Sequence, residues 1–173
     1  NLGIVEMAQA AGLADLPESK RNPWETSTFG VGQILKKVAG FGVDVILLGI
    51  GGSSTNDIGI GALNALGLSL KSHDNNEISF PIPSVWKNVA GIDIDGLDSL
   101  PPIRIACDVD NQLFGKTGAT AQYGPQKGLA EKDIEKFQEQ IKRILKILES
   151  HRTDIFELSK SKGSGAAGGM GFG

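Results

Sequence analysis

Three segments of the chain carry residues whose types and spacing could do chemistry. The first is Gly49-Ile-Gly-Gly-Ser-Ser-Thr-Asn-Asp57. Gly51 and Gly52 have no Cβ, so the backbone can bend there and a ligand can come close. Ser53, Ser54, Thr55, Asn56 and Asp57 are all residues that cap helix N-termini with a side-chain oxygen. If a helix opens in this stretch, its free N–H groups and positive end form an anion site. A capped strand-to-helix turn without a ligand needs one such residue, and five in succession favour a bound anion. The second segment is Cys107-Asp-Val-Asp-Asn111, in which Asp108 and Asp110 could hold Mg²⁺ through water, orient a hydroxyl, or merely cap a turn. The third is Tyr123-Gly-Pro-Gln-Lys-Gly128. Its Lys127 follows a proline-stiffened turn, placed to meet a carboxylate or phosphate unless it is simply a solvated lysine.

Other patterns fit less well. A dinucleotide fingerprint needs Gly or Ala where Ser54 stands, and Asp74 lies in a polar Ser-His-Asp-Asn-Asn run that reads as a surface turn. Asp110 to Thr117 ends like a phosphate-binding P-loop but begins with Asp and opens no amphipathic helix. His73 and His151 have no Cys or carboxylate at ligand spacing, which argues against metal or triad roles for them, and no set of metal ligands is assigned. Cys107 reads as a small apolar strand residue, and Trp24 and Trp86 as packing groups. Gly163-Ser-Gly-Ala-Ala-Gly-Gly169 is either a flexible tail or a close-packing loop and helix start.

The elements that must position these residues alternate between helix and apolar strand. Val31, Ile34, Leu35 and Val38 mark a helix face, and Phe41 to Ile50 is a β-branched run between glycines that suits a strand buried on both sides of a parallel sheet. A further helix is expected through Ile60, Leu63 and Leu66, stopping at Gly67. Ile103 to Cys107 reads as a second buried strand, and Ile4 to Met7 belongs to a third element. Ile134, Phe137, Ile141, Leu145 and Leu148 recur at helical spacing opposite a charged face. The pattern predicts an α/β fold, a mixed or parallel sheet flanked by helices, with residues 1–173 as one unit. Residues 71–102, with four prolines, read as an irregular excursion that can include a short hairpin.

Composition narrows the classes further. The 173 residues are 40% hydrophobic with a net charge of −3, enough for a core and too acidic for a phosphate-backbone binder, so no nucleic acid partner is expected. The 24 glycines follow no fixed period, which excludes collagen. No apolar run approaches the roughly 20 residues of a membrane helix, and no signal peptide is visible. One cysteine fits a reducing compartment, so a cytoplasmic protein is expected.

With these segments in hand, the sequence resembles the bacterial glycerate kinase family, which makes phosphoglycerate from D-glycerate and ATP. Gly51 to Asp57 is similar to its GGSATND motif, Ala106 to Asn111 to ACDVxN, Tyr123 to Gly128 to FGPQKG, Gly163 to Gly169 to GAGAAGG, and Thr26 to Gly30 to the start of TSxGTG. Departures are mild: Ser54 for Ala, Ile58 for the Gly after the first motif, Gln112 for Pro, Tyr123 for Phe, Val31 for Thr and Ser164 for Ala. The family's PDSFKGS-like, ADGGEG and GEGRxD segments are not in this sequence. The resemblance therefore implies the middle of a two-domain α/β kinase, with its N- and C-terminal segments missing and its site in an interdomain cleft. It implies ATP and Mg²⁺ as cofactors, Gly51 to Asn56 as the anion-binding stretch, and Asp57, Asp108 and Lys127 as catalytic candidates. Asp57 or Asp108 would orient the attacking hydroxyl or hold Mg²⁺, and Lys127 would offset charge on the transferred phosphoryl group. The other readings are a non-catalytic anion- or nucleotide-binding or assembly domain, and a nicotinamide-dependent oxidoreductase that Ser54 disfavours.

Overall fold

The computed structural model describes all residues 1–173. Strand β1 (Leu2–Glu6) leads through the short helix α1 (Ala8–Ala11) to helix α2 (Phe29–Ala39) and strand β2 (Val45–Gly49). Helix α3 (Ile60–Ala65) follows, then strands β3 (Ser69–Ser72) and β4 (Val89–Asp93), and strand β5 (Ile103–Ala106). Helices α4 (Ala119–Tyr123), α5 (Ile134–Leu148), α6 (Ile155–Leu158) and α7 (Ala166–Gly169) complete the chain.

β1, β2 and β5 form a parallel sheet with β2 in the centre, Leu48 opposite both Val5 and Ile105. The expected α/β architecture is present, with an all-parallel main sheet. One face of it, through Val5, Ile46 and Leu48, packs on Ala11, Val31, Leu35 and Ala62 of α1 to α3. The two helices α2 and α3 approach closely at Gly32, where any Cβ would overlap the carbonyl of Ala62. On the opposite face Leu2 and Ile4 are 55% and 66% exposed. The double burial expected for the Phe41–Ile50 run is therefore not found: Ile46 and Leu48 are buried, and Val45 and Leu47 are half-buried. β5 departs further. It is the edge strand and all four residues are exposed, because no element covers its outer side.

A second core lies beside the first. Residues 71–102 contain β4 and a 3₁₀ turn at Pro83–Asn88, and β4 pairs antiparallel with β3. Their inner residues Leu70, Trp86, Val89 and Ile92 meet Phe137, Ile141, Ile144 and Leu145 of α5. Trp86 is fully buried and its indole N–H donates to Pro81 O at 2.8 Å, and Trp24 packs against Phe137 in a tilted contact with 4.4 Å between centroids. Both tryptophans pack, as their surroundings suggest. No helix is long and apolar enough to cross a membrane.

Candidate functional site

The carboxyl ends of β2 and β5 open into one cleft of about 150 Å³. That edge is where open α/β sheets expose ligand sites. Gly51, Gly52 and Ser53 line it after β2, Cys107 and Asp108 after β5, Tyr123, Gln126 and Lys127 before α5, and Ala166 and Ala167 from α7. Four segments far apart in sequence thus meet at one place.

The loop between β2 and α3 is not built as its sequence suggests. The first helical residue is Ile60, and its N-cap is Gly59 in the left-handed region, so Ser53 to Asn56 cap no helix. The positive helix end expected at Gly51–Asn56 is absent there. Ser53 to Ile60 are buried, and the side chains of Ser53, Ser54, Asn56 and Asp57 bind neighbouring elements. Ser54 Oγ donates to Ala11 O at 3.0 Å, and Asn56 Nδ2 donates to Thr120 Oγ1 at 3.1 Å. Ser53 Oγ accepts from Lys127 Nζ at 2.8 Å. Thr55 Oγ1 and Asn56 Oδ1 are buried without a partner.

What the loop offers the cleft is its backbone. Of the amides from Gly51 to Asn56, that of Ser54 donates to Ala11 O at 2.8 Å, and the other five have no protein acceptor. Gly52 holds a left-handed φ of 67°, and Gly51 and Gly52 are exposed. Adjacent unpaired N–H groups around a left-handed turn form a concavity suited to an anion. The loop thus presents unpaired amides rather than a helix terminus.

Lys127 closes the back of this loop. It lies in a 3₁₀ turn at Pro125–Lys127, well before α5, and is 3% exposed rather than solvated. Its Nζ donates to Ser53 Oγ and to Thr55 O at 2.6 Å, with no carboxylate within 4 Å. An ammonium has three donors, so one remains for an anion in the cleft. Burial lowers its pKa from 10.5 to about 8, and the charge of Asp57 pulls the other way.

Asp57 does not line the cleft. Its Oδ2 accepts from Thr28 N at 2.7 Å, Thr28 Oγ1 at 2.8 Å and Gly61 N at 3.2 Å, and Oδ1 accepts from Gly59 N at 3.4 Å. Burial pushes its carboxyl up, and these donors pull it back. Asp108 is exposed at the cleft wall and makes no hydrogen bond or ion pair, whereas Asp110 pairs with Lys162 at 3.1 Å outside it. Cys107 is not the buried strand residue expected: it is exposed at the cleft, its Sγ 3.2 Å from Val109 O.

Two features of the site went unread in the sequence. Ile58 adopts φ 49° and Ala167 φ 53°, conformations that cost a non-glycine residue roughly 1–3 kcal/mol and persist only where the surroundings enforce them. Ile58 stands where the glycerate kinase motif continues with Gly, and that departure was the available signal. The Gly163–Gly173 stretch is a close-packing loop, not a tail. A Cβ on Gly168 would overlap Thr55 O, and Gly168 O accepts from Ile58 N at 3.0 Å.

The arrangement is an α/β unit whose cleft, at the carboxyl edge of a parallel sheet, gathers a loop of unpaired amides and a buried lysine. The sequence model of the Glycerate kinase family matches residues 1–173, and the chain belongs to that family. It is 42% identical to a glycerate kinase of Halalkalibacterium halodurans, over 99% of this chain and 45% of that protein. It is 39% identical to a glycerate 2-kinase of Escherichia coli, over 97% of this chain and 44% of that protein. A crystal structure assigned as glycerate kinase 2 from Salmonella typhimurium superposes with a TM-score of 0.89 at 39% identity, covering 99% of this chain and 46% of that one. The chain thus spans about half the length of the relatives it matches.

Proposed function

We propose that residues 1–173 are the central α/β unit of an ATP-dependent glycerate kinase that transfers a phosphoryl group to a hydroxyl of D-glycerate. The observation that carries this reading is the meeting of the unpaired Gly51–Ser53 amides, Lys127 and Asp108 in one cleft. Phosphoryl transfer has a loose transition state, so catalysis consists mainly of positioning and charge stabilisation.

In this reading the amides of Gly51, Gly52 and Ser53 hold phosphate oxygens, and the free N–H of Lys127 faces charge developing on the transferred group. Ser53 Oγ and Thr55 O fix the ammonium, so little reorganisation accompanies the reaction. Asp108 accepts the proton of the attacking hydroxyl or coordinates a cation. No group of three or more His, Cys, Asp or Glu side chains could hold a metal alone. Asp108 would be the one carboxylate of the cleft to hold Mg²⁺, an ion that is usually bound through one or two carboxylates with substrate phosphates. When bound, Mg²⁺ neutralises phosphate charge. Asp57, already saturated by Thr28, Gly59 and Gly61, is given no proton to move.

The test is a coupled assay of a family-length chain containing this segment, with D-glycerate and ATP as substrates. ATP-dependent formation of phosphoglycerate, lost in Lys127→Ala and Asp108→Ala, supports the reading. Phosphate or nucleotide binding without turnover contradicts it and favours a non-catalytic anion-binding unit.

A further inference from the structure

Asp57 belongs to the motif but reaches neither the cleft nor solvent. Its carboxylate sits where the N-terminal ends of α2 and α3 meet, bonded to Thr28 ahead of α2 and to Gly59 and Gly61 at the start of α3. Thr28, itself fully buried, completes the junction by accepting from Ala62 N at 2.9 Å through the same hydroxyl that donates to Asp57. The space admits nothing larger: a Cβ on Gly61 would lie 2.7 Å from Phe29 N and 2.8 Å from Asp57 Oδ2. One residue on, Ile58 is held in the left-handed region, with its amide bound to Gly168 O. The strained turn is thus clamped by Asp57 on one side and Gly168 on the other.

We propose that Asp57 and Thr28 act as a positioning pair, which fixes the β2–α3 loop so that the Gly51–Ser53 amides converge on a phosphate-type anion. Asp57 acts through the backbone and touches no reacting atom. A carboxylate suits this place because it accepts four bonds and donates none, matching the hydroxyl and amide donors of Thr28 and two amides at the start of α3. Asn at this position would turn an N–H₂ group either toward the amide of Gly59 or toward Thr28 and the amide of Gly61. The same bonds would supply a driving force for holding Ile58 in a conformation it disfavours alone. This inference rests on the assignment of Gly51–Asn56 as the anion-binding loop.

The test uses a family-length chain containing this segment, with inorganic phosphate binding followed by calorimetry and glycerate phosphorylation by coupled assay. Asp57→Asn and Thr28→Val are each expected to weaken phosphate binding and raise the KM for ATP by about tenfold or more, while kcat falls less. Thr28→Ser, which keeps the hydroxyl, should restore both to within about threefold. The double variant should cost no more than Asp57→Asn alone, because both changes break one unit. The midpoints of the pH–rate profile should not move. Should Asp57→Asn fail to fold, Thr28→Val and Thr28→Ser decide the same question. Loss of turnover in Asp57→Asn with phosphate affinity intact would overturn the proposal and make Asp57 a catalytic group. Unchanged phosphate affinity in Thr28→Val would overturn it also. If the unaltered chain binds phosphate but does not phosphorylate glycerate, the kinase reading fails, and the phosphate measurements still decide the pair.

Discussion

The loops after β2 and after β5 look alike in sequence and are built in opposite ways. Each follows a short strand with β-branched residues, and each contains Asp and Asn. β2 is the central strand, and its loop is buried from Ser53 to Ile60, tied to Ala11, Thr28, Thr120, Lys127 and Gly168. β5 is an edge strand with its residues exposed, and its loop presents Asp108 with no partner at all. The difference teaches a division of labour. The β2 loop uses its side chains to fix its own shape and leaves its Gly51–Ser53 amides unpaired. The β5 loop leaves the Asp108 side chain free, and in the proposed function both meet the ligand.

That contrast is sharpest in substitutions that separate shape from chemistry. The largest effect should come from Lys127→Ala in a family-length chain, lowering kcat by on the order of 10²- to 10³-fold, since it removes a preorganised charge at the reacting group. A coupled assay measures it. Asp108→Asn should lower kcat by on the order of 10²-fold, with the melting temperature unchanged, because Asp108 supports no fold contact. A loss of stability in Asp108→Asn, seen by thermal melting, would erase the contrast between the loops.

A third effect concerns pH. Folding lowers the Lys127 pKa to about 8, so between about 8 and 10.5 the unfolded chain holds a proton that the folded one has released. This group therefore makes stability rise with pH across that window, and its penalty is fully present below it. Denaturant titrations of the original chain against Lys127→Met should show the slope in the first and its loss in the second.

Smaller still is the expected reversal at Ile58. Its side chain is buried in the second core, so either truncation destabilises. Gly nevertheless tolerates φ 49° and Ala does not, so Ile58→Gly should be more stable than Ile58→Ala by about 1 kcal/mol, against the usual order. Chemical denaturation of the two variants decides it. At the bottom of the scale, Asp110→Asn removes only the exposed pair with Lys162 and should change stability by less than about 0.5 kcal/mol.

The sequence made the elements legible and misled about their surroundings. Apolar spacing located α2, β2, β5 and α5, because the 3.6-residue and extended patterns are local. It could not tell that β5 is an edge strand, since Ile103 and Ile105 are as apolar as Ile46 and Leu48, and exposure depends on what packs alongside. The motif residues Gly51–Ser53, Asp108 and Lys127 do meet in the cleft. That Asp57 lies outside the cleft could not be read from the sequence, because its partners Thr28 and Gly61 come from the starts of two helices whose crossing no local pattern encodes. The helix start was misplaced for a related reason: of the five residues that can cap a helix, Ser53, Ser54, Asn56 and Asp57 are taken up by tertiary bonds, and Thr55 Oγ1 is buried without a partner.

The central claim is that backbone amides, held by inward-turned side chains, meet the anion. Its most direct test is to follow the amide resonances of Gly51, Gly52 and Ser53 by selectively labelled NMR in a family-length chain titrated with inorganic phosphate. These three should shift downfield together and saturate, while the amides of Thr28 and Gly61, already bound to Asp57, stay in place. Saturation that moves Asp110 and Lys162 but leaves Gly51 to Ser53 untouched would contradict the account.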